Sequence, residues 1–496
     1  MAINFKINET NTHINNLDTV IIGVPDHFNQ IEPIIFENED LTATLEIFKH
    51  RHIIGSTLGK IYSTALMIDG KYKRLVTIGL GNLKNLQYAD MLNIWGTLFQ
   101  YMKDEHIVNS FLILDSLITK YNKNNDMLFS CGLQSERSIY QFDDYSSNKR
   151  APFNLDIYLQ SNKDIDTSII QHGQIIGQAI NLVRYMSQVP SNILTPRDFT
   201  HDIQQRFENS AVTVDVKSGN DIVTEGFGLI QAVGQGSSNH SSLITLTYNG
   251  TNKTKPVIAF VGKGLTYQVN NGYSSNNHSK QLISTNMNEA ATIVAIVEAV
   301  NKLKLPINIV AIIACADNRQ NVIKLNDIYT GISGESIEIA NNDDIGTLLL
   351  ADAVQYANQF QPQLMIDIAI LSQEIIATLG SDKAAVFQQR SEDMLRHIRE
   401  VADLYDEMIY ELPLTKIERQ LILQSDIADL INDTNQCQQG KTLFDASFIC
   451  HFAGNTPYIH FDITGPATNH VDTYNGPKGA SGFLITTLIQ WLLTLK

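Results

Sequence analysis

The stretch PVIAFVGKG, residues 256–264, decides which class of fold the chain can form. Its first part is an unbroken apolar run rich in β-branched residues, and the Gly-Lys-Gly that follows ends the run. A short run of this kind bounded by glycine is typical of a strand that is buried on both faces of a sheet. Three further runs share this character: SLITLTYN (242–249), PINIVAIIACA (306–316) and QLMIDIAIL (363–371).

Amphipathic segments lie between these apolar runs. Residues 286–305 and 344–360 repeat apolar side chains at helical spacing. Alternating strands and helices predict an α/β fold, here with a mixed, mostly parallel sheet flanked by helices. A similar but shorter alternation occupies the first part of the chain: TVIIGVP (19–25), KRLVTIGLG (73–81) and SFLILDS (110–116), with a helical pattern over 88–103.

The chain divides at a polar, turn-rich stretch, residues 143–154, followed by a long helical pattern over 168–188. Pro190 and Pro196 prevent this helix from continuing. We therefore predict an N-terminal α/β domain over 1–165, a linker helix and proline-bounded turn over 166–200, and a larger C-terminal domain over 201–496.

Length and composition bound the function. A chain of 496 residues exceeds one ordinary core, and its net charge of -16 without a Lys/Arg-rich run disfavours nucleic acid as a partner. The amino terminus, MAINFKINETNTHINN, has no apolar stretch long enough for a signal peptide, and no run of about 18 apolar residues occurs in the sequence, which predicts a cytoplasmic protein. In that compartment the four widely spaced cysteines are expected to be buried reduced thiols.

The residues alone offer few candidates for chemistry. Lys263 follows the apolar run, but VGKG is not a phosphate loop, because Val257 stands where that motif needs glycine and Gly264 follows the lysine. A lysine at a strand end is usually a solvated cation, and Asp343 or Asp344 before a helix is often only a cap. None of the histidines forms a metal-binding pair.

Several segments, taken together, resemble the leucyl (cytosol) aminopeptidase family. They are NLVRYMSQVPSNILTPRDF, VGKGLTY, LPINIVAIIACADN, NNDDIGTLLLADAVQYA and HFDITGPA…YNGPKGASGF, in the family's order. The resemblance implies a two-domain fold, a hexamer, and removal of amino-terminal residues from peptides by two divalent ions, zinc or manganese. It covers the C-terminal domain closely and the first domain more loosely.

Carried onto this chain, the resemblance implies that most of the catalytic apparatus has been replaced. Two metal-ligand positions are kept, Lys263 and Asp343, and three are substituted: Gln268, Asn286 and Ile345. The position of the catalytic lysine falls at Ser275 or Asn276, and that of the bicarbonate-binding arginine at Thr347. The substrate-pocket positions are Ile370, Ser372 and Gln373, where bulk and polarity replace small residues.

One retained carboxylate and a lysine cannot balance two dications. We therefore expect no cofactor, no strongly bound metal and no catalysis, but a hexameric binding, scaffolding or regulatory protein, in which Lys263 and Asp343 form an ion pair. A mixed oligomer with an active paralogue stays open. So does the alternative, an active metal-dependent leucyl aminopeptidase with a rearranged site that recruits Asp344, His278 or Glu289, the last of which replaces a family glycine.

Overall fold

The computed structural model describes residues 2–7, 18–37, 39–68, 70–117, 124–251, 257–268, 287–320, 322–343, 345–434 and 440–495. The chain forms two compact units. The first comprises Met1–Asn181 and Val471–Lys478, and the second Leu182–His470 and Gly479–Lys496. The limits at residues 165 and 200 stay predictions.

The first unit is built on a six-stranded sheet. The strands of the whole unit are β1 (Ala2–Ile7), β2 (Thr19–Pro25), β3 (Ile35–Phe36), β4 (Glu39–Asp40), β5 (Ile61–Ile68), β6 (Lys71–Gly81), β7 (Asn109–Ile113) and β8 (Asn154–Gln160). Its helices are α1 (Thr42–His50), α2 (Tyr88–Asp104) and α3 (Asn124–Arg137); α4 (Ser168–Gln188) contains the boundary between the units.

The sheet of the first unit runs β1–β8–β7–β2–β6–β5, and β3 pairs with β4 in a separate hairpin. Every pair in the six-stranded sheet is parallel except β5–β6. All residues of β2 are buried, as its unbroken apolar run predicts. Helices α2 and α3 pack together, and the indole nitrogen of Trp95 donates to the carbonyl oxygen of Met127 at 2.9 Å.

The second unit contains the larger sheet. Its strands are β9 (Val212–Ser218), β10 (Ser242–Asn249), β11 (Val257–Gln268), β12 (Asn308–Asn318), β13 (Ile328–Thr330), β14 (Ser336–Glu338), β15 (Leu364–Ala369), β16 (Ala384–Gln389), β17 (Ile409–Glu411), β18 (Leu430–Ile431), β19 (Tyr458–Asp462), β20 (Thr468–Asn469) and β21 (Gly479–Ala480). Its helices are α5 (Pro196–Phe207), α6 (Asn220–Thr224), α7 (Gly228–Gly234), α8 (Asn288–Leu303), α9 (Gly346–Ala357), α10 (Glu374–Leu379), α11 (Glu392–Leu404), α12 (Lys416–Leu421), α13 (Lys441–His451) and α14 (Ile485–Thr494).

The eight-stranded sheet of this unit runs β17–β16–β19–β15–β11–β12–β10–β9. The central strands β19, β15, β11 and β12 are mutually parallel, whereas the pairs β12–β10, β10–β9 and β16–β19 are antiparallel. The predicted α/β fold with a mixed, mostly parallel sheet is confirmed. Because parallel strands end at the same edge, the side chains near the carboxyl ends of β11, β15 and β19 are brought together there.

Helices cover both faces of β11. Ala259 and Val261 belong to one buried apolar cluster with residues of α9, and Gly262 faces α8 on the other side. A Cβ atom at Gly262 would lie 2.7 Å from Cγ1 of Ile293, so only glycine permits α8 to pack this closely. Within the described ranges, no helix is long and apolar enough to cross a membrane.

The cysteines of the described ranges, Cys131, Cys315 and Cys450, are buried free thiols. Cys437 lies outside those ranges. Burial raises the pKa of each described thiol, which keeps it protonated.

Candidate functional site

Lys263 of β11 lies at the centre of the candidate site. Its ammonium is almost fully buried and donates to Oε1 of Glu289 at 2.6 Å; the Glu289 side chain is completely buried. The same oxygen accepts a hydrogen bond from the backbone nitrogen of Ile370 at 2.9 Å. Glu289 thus joins β11 to the residue that follows β15.

The start of α9 leaves room for the Lys263 side chain. A Cβ atom at Gly346 would lie 2.9 Å from Cε of Lys263. Any larger residue at this position would push the lysine aside. The ammonium therefore reaches Glu289, in the first turn of α8, across the start of α9.

The expected ion pair between Lys263 and Asp343 is wrong. Asp343 lies in the bend before α9 with an exposed side chain, and its backbone nitrogen donates to Oδ1 of Asn341 at 2.8 Å. A buried ammonium needs a counter-charge that is buried with it, and Glu289 supplies one from the adjacent helix. Asp343, by contrast, is exposed.

The other described residues that were predicted from the sequence to belong to the site differ in how far their side chains are buried. Ile345 is completely buried in the apolar cluster of α9, and Thr347 is buried in the first turn of that helix. Ile370 is half-buried, Ser372 is buried with its hydroxyl 2.7 Å from that of Thr442, and Gln373 is exposed. Their roles as substrate-pocket positions stay predictions.

The remaining predicted positions cannot be placed. Ser275, Asn276 and Asn286 lie outside the described residues, as do His278 and Asp344. Gln268 is the last residue of β11, and its backbone pairs in register with Asn318. The structure describes the backbone of Gln268 but not its side chain.

The described donor set does not fit two divalent ions. The Ile345 side chain offers no ligand atom, Asp343 is exposed, and the Lys263 ammonium is paired with Glu289. A protonated lysine has three donors and no lone pair, so it cannot coordinate a metal while it is paired in this way. Within the described ranges, no three His, Cys, Asp or Glu side chains are grouped so that they could hold an ion.

A second buried polar cluster lies deeper in the sheet. Asp367 of β15 faces His460 of the adjacent β19, and its carboxylate accepts hydrogen bonds from Nδ1 of His460 at 2.8 Å and from the hydroxyl of Tyr458 at 2.5 Å. Asp462, two residues beyond His460, accepts from the nitrogen and hydroxyl of Thr464. Nε2 of His460 and Oδ2 of Asp462 are buried without a hydrogen-bond partner in the described part of the chain.

This cluster perturbs the ionisation of its members. Burial by itself lowers the pKa of His460, but the charge and hydrogen bond of Asp367, together with the charge of Asp462, raise it above its ordinary value. Burial raises the pKa of Asp462, and Thr464 and His460 offset this only in part. The cluster therefore favours a protonated imidazole that is hydrogen-bonded to Asp367.

Sequence reasoning named Glu289 only as a group that a rearranged enzyme would recruit, and it did not name Asp367 or His460. A signal for the latter pair was present, because each interrupts an otherwise apolar strand, LMIDIA or YIHFD. A charged residue inside a buried strand must find a partner on a neighbouring strand. No such rule identifies Glu289 as the partner of Lys263, since the two lie 26 positions apart on different elements.

The fold and site define a two-unit α/β protein with a buried Lys–Glu pair near the carboxyl ends of its central strands. The model of the cytosol aminopeptidase family, catalytic domain, matches residues 181–489, and the model of that family's N-terminal domain matches residues 25–149. The chain therefore belongs to the cytosol aminopeptidase family.

Relatives and a solved structure agree with this assignment. The chain is 30% identical over 435 residues to a probable cytosol aminopeptidase of Rickettsia africae, covering 86% of each chain. It is 29% identical over 428 residues to one of Exiguobacterium sibiricum, covering 86% of this chain and 87% of that one. The bottromycin maturation enzyme BotP superimposes with a TM-score of 0.82 at 22% identity, covering 97% of this chain and 99% of that one, which shows the shared fold.

Proposed function

We propose that this chain is a non-catalytic member of the cytosol aminopeptidase family, a cytoplasmic hexamer that serves as a binding, scaffolding or regulatory protein. The observation that supports this most directly is the buried contact of 2.6 Å between Lys263 and Glu289. In this proposal an internal carboxylate stabilises a lysine that the family uses as a metal ligand.

Charge and coordination chemistry both support the proposal. The Lys263 ammonium lies 2.6 Å from the Glu289 carboxylate, and an ammonium has no lone pair for a metal. The resemblance assigns a glutamate position to Ile345 and an arginine position to Thr347, and neither present side chain can take part in metal binding or anion binding as those residues would. The position of the family's catalytic lysine falls at Ser275 or Asn276, and neither side chain supplies the cation that would stabilise an oxyanion there.

The alternative is an active aminopeptidase with a rearranged site that removes amino-terminal residues from peptides. Two observations favour it: the relatives are named probable cytosol aminopeptidases, and Oε2 of Glu289 has no hydrogen-bond partner among the described residues. In this alternative, Oε2 of Glu289 would bind a cation beside the Lys263 ammonium, which is hydrogen-bonded to Oε1.

A paired measurement separates the two readings. Purified protein is incubated with zinc or manganese, dialysed and analysed for metal, and the same sample is assayed with leucine amide. An active member of the family, treated identically, is the positive control. The proposal expects no stoichiometric metal and no hydrolysis above background. Chelator-sensitive hydrolysis that zinc or manganese restores would establish the alternative instead.

A mixed assembly with an active paralogue has its own test. Co-expression of this chain with such a paralogue, followed by affinity purification through a tag on this chain, should recover the paralogue if mixed oligomers form. Recovery of this chain alone, with the paralogue expressed in excess, would favour the homo-hexamer.

A further inference from the structure

A cavity of about 850 Å³ lies within the first unit, away from Lys263. Its walls are the end of α2, the segment between α3 and β8, and the part of the segment Val471–Lys478 that lines it. Neither the proposed function nor the resemblance assigns a role to this cavity.

One wall carries an ammonium without a close carboxylate. Lys103 is half-buried, and its Nζ atom donates to the carbonyl oxygen of Ile139 at 3.2 Å. Among the described residues, no carboxylate oxygen lies within 4.0 Å of this nitrogen. The chain has a net charge of -16 and hence an excess of carboxylates, yet none of the described ones lies beside this half-buried ammonium.

The electrostatic surroundings of Lys103 favour a further negative group. Burial lowers the pKa of Lys103 and the charge of Arg150 lowers it further, while Asp104 and Asp143 offset these effects only in part. The guanidinium of Arg150 already lies 3.6 Å from Asp143, so this aspartate is shared. His106 lines the same cavity and adds an imidazole.

The rest of the lining is suited to an apolar group. Val108, Pro152 and Phe153 contribute hydrophobic surface, and Val108 is 59% exposed. Binding pockets for small molecules combine apolar walls with a few polar groups that fix orientation. Here the charged groups of the lining are the cations of Lys103 and Arg150 and the carboxylates of Asp104 and Asp472.

We propose that this cavity binds a small organic oxyanion, with its carboxylate or phosphate group on the Lys103 ammonium and its apolar body against Phe153 and Val108. The oxyanion supplies a close counter-charge at Lys103, whose nitrogen has no carboxylate oxygen within 4.0 Å among the described residues although Asp104 and Asp143 act on it from farther away. The two head groups share this chemistry and are distinguished by the choice of probe. The site is independent of the state of the family's catalytic centre.

Titration calorimetry on the full chain tests the proposal with three probes of one shape: benzoate, phenyl phosphate and neutral benzamide. One or both anions should bind and benzamide should not, and the tighter anion identifies the preferred head group. Binding of benzamide as tight as that of benzoate, or binding of none of the three, overturns the proposal.

Variants locate the interaction. Lys103→Gln should weaken the better anion about tenfold or more, because a charge-assisted hydrogen bond is lost, whereas Lys103→Arg should retain most of the affinity. Lys71→Gln, on the surface of the same unit and outside the cavity, is the matched control. Equal weakening by both glutamine variants overturns the assignment to Lys103.

A measurement on the unmodified protein removes dependence on the folding of any variant. At about pH 10, near the ordinary pKa of lysine, Lys103 is partly deprotonated, so anion binding should take up protons. Heats measured in two buffers with different ionisation enthalpies report this uptake. Anion binding without proton uptake there would place the ligand away from Lys103.

Discussion

At the scale of single residues, Glu289 decides the character of the candidate site. One of its oxygens accepts from both Lys263 and the backbone of Ile370, and the side chains of Glu289 and Lys263 are almost fully buried. Removing one partner of a buried ion pair costs more than replacing both, because the remaining charge has no solvent. Loss of either charge of the pair should therefore destabilise the sheet.

Glu289→Gln should lower the free energy of unfolding by about 3–5 kcal/mol, because Lys263 keeps its charge without a counter-ion. Adding Lys263→Met should recover part of this loss. Urea unfolding measures both, and Asp393→Asn, which breaks an exposed ion pair with Arg396, is the control. A loss for Glu289→Gln no greater than for the control would contradict the role of the pair.

His460 should make stability depend on pH in a defined direction. Its pKa is raised in the folded chain, so its contribution to stability is complete below about pH 6.5 and is lost as pH rises through the folded value. Unfolding at about pH 6 and about pH 8 should show a smaller decrease in His460→Gln than in the unmodified chain. His397→Gln, at an exposed position, should leave the decrease unchanged.

At the scale of elements, a single carboxylate holds the start of α7. Asp352 of α9 is buried, and its oxygens accept from the backbone nitrogens of Leu229, Ile230 and Ile332 at 2.9–3.1 Å. Burial raises the pKa of Asp352 to about 6, although these three hydrogen bonds act in the opposite direction. One side chain thus joins two helices and a turn.

Between about pH 4 and about pH 6, the folded chain should hold the Asp352 proton while the unfolded chain releases it. Asp352 should therefore increase stability as pH falls through this window. Asp352→Asn should remove that increase, and the exposed Asp403→Asn should preserve it. The free energy of unfolding is measured across this pH window for each variant. If it depends on pH in Asp352→Asn as it does in the unmodified chain, Asp352 does not titrate within the window.

The elements around the site also show what a sequence can predict. Apolar runs and helical spacing correctly indicate β11, β12, β15, α8 and α9, because periodicity depends on the local chain alone. The antiparallel direction of β10 and the burial of the Glu289 carboxylate against Lys263 depend on how distant segments pack. Lys263 is therefore identified from sequence as a candidate, whereas its partner is identified only from the structure.

At the scale of the whole molecule, the resemblance to the family leads to a testable prediction of the oligomeric state. Light scattering at micromolar concentration should give about six times the chain mass of 55.4 kDa, because the family resemblance implies a hexamer. The relevant comparison is an active family member measured at the same concentration. A monomeric mass for this chain alone would contradict the proposed assembly.

The last prediction concerns revival of the implied enzyme. Restoring Gln268→Asp, Asn286→Asp, Ile345→Glu and Thr347→Arg should still give no hydrolysis of leucine amide, because nucleophile generation, oxyanion stabilisation and proton transfer act as a unit. Glu289 would continue to hold the Lys263 ammonium, and no cation would stand at Ser275 or Asn276.

The same substitutions should also destabilise the chain. Ile345 is completely buried among apolar side chains of the α9 cluster, and a glutamate there would lose its solvation without two metal ions to replace it. Ile345→Glu should therefore lower the thermal midpoint, and added zinc should not restore it unless Glu289→Gly also releases Lys263 for coordination. Zinc-dependent recovery of the midpoint in Ile345→Glu alone would mean that Lys263 leaves Glu289 readily, and the buried pair would then be no barrier to metal binding.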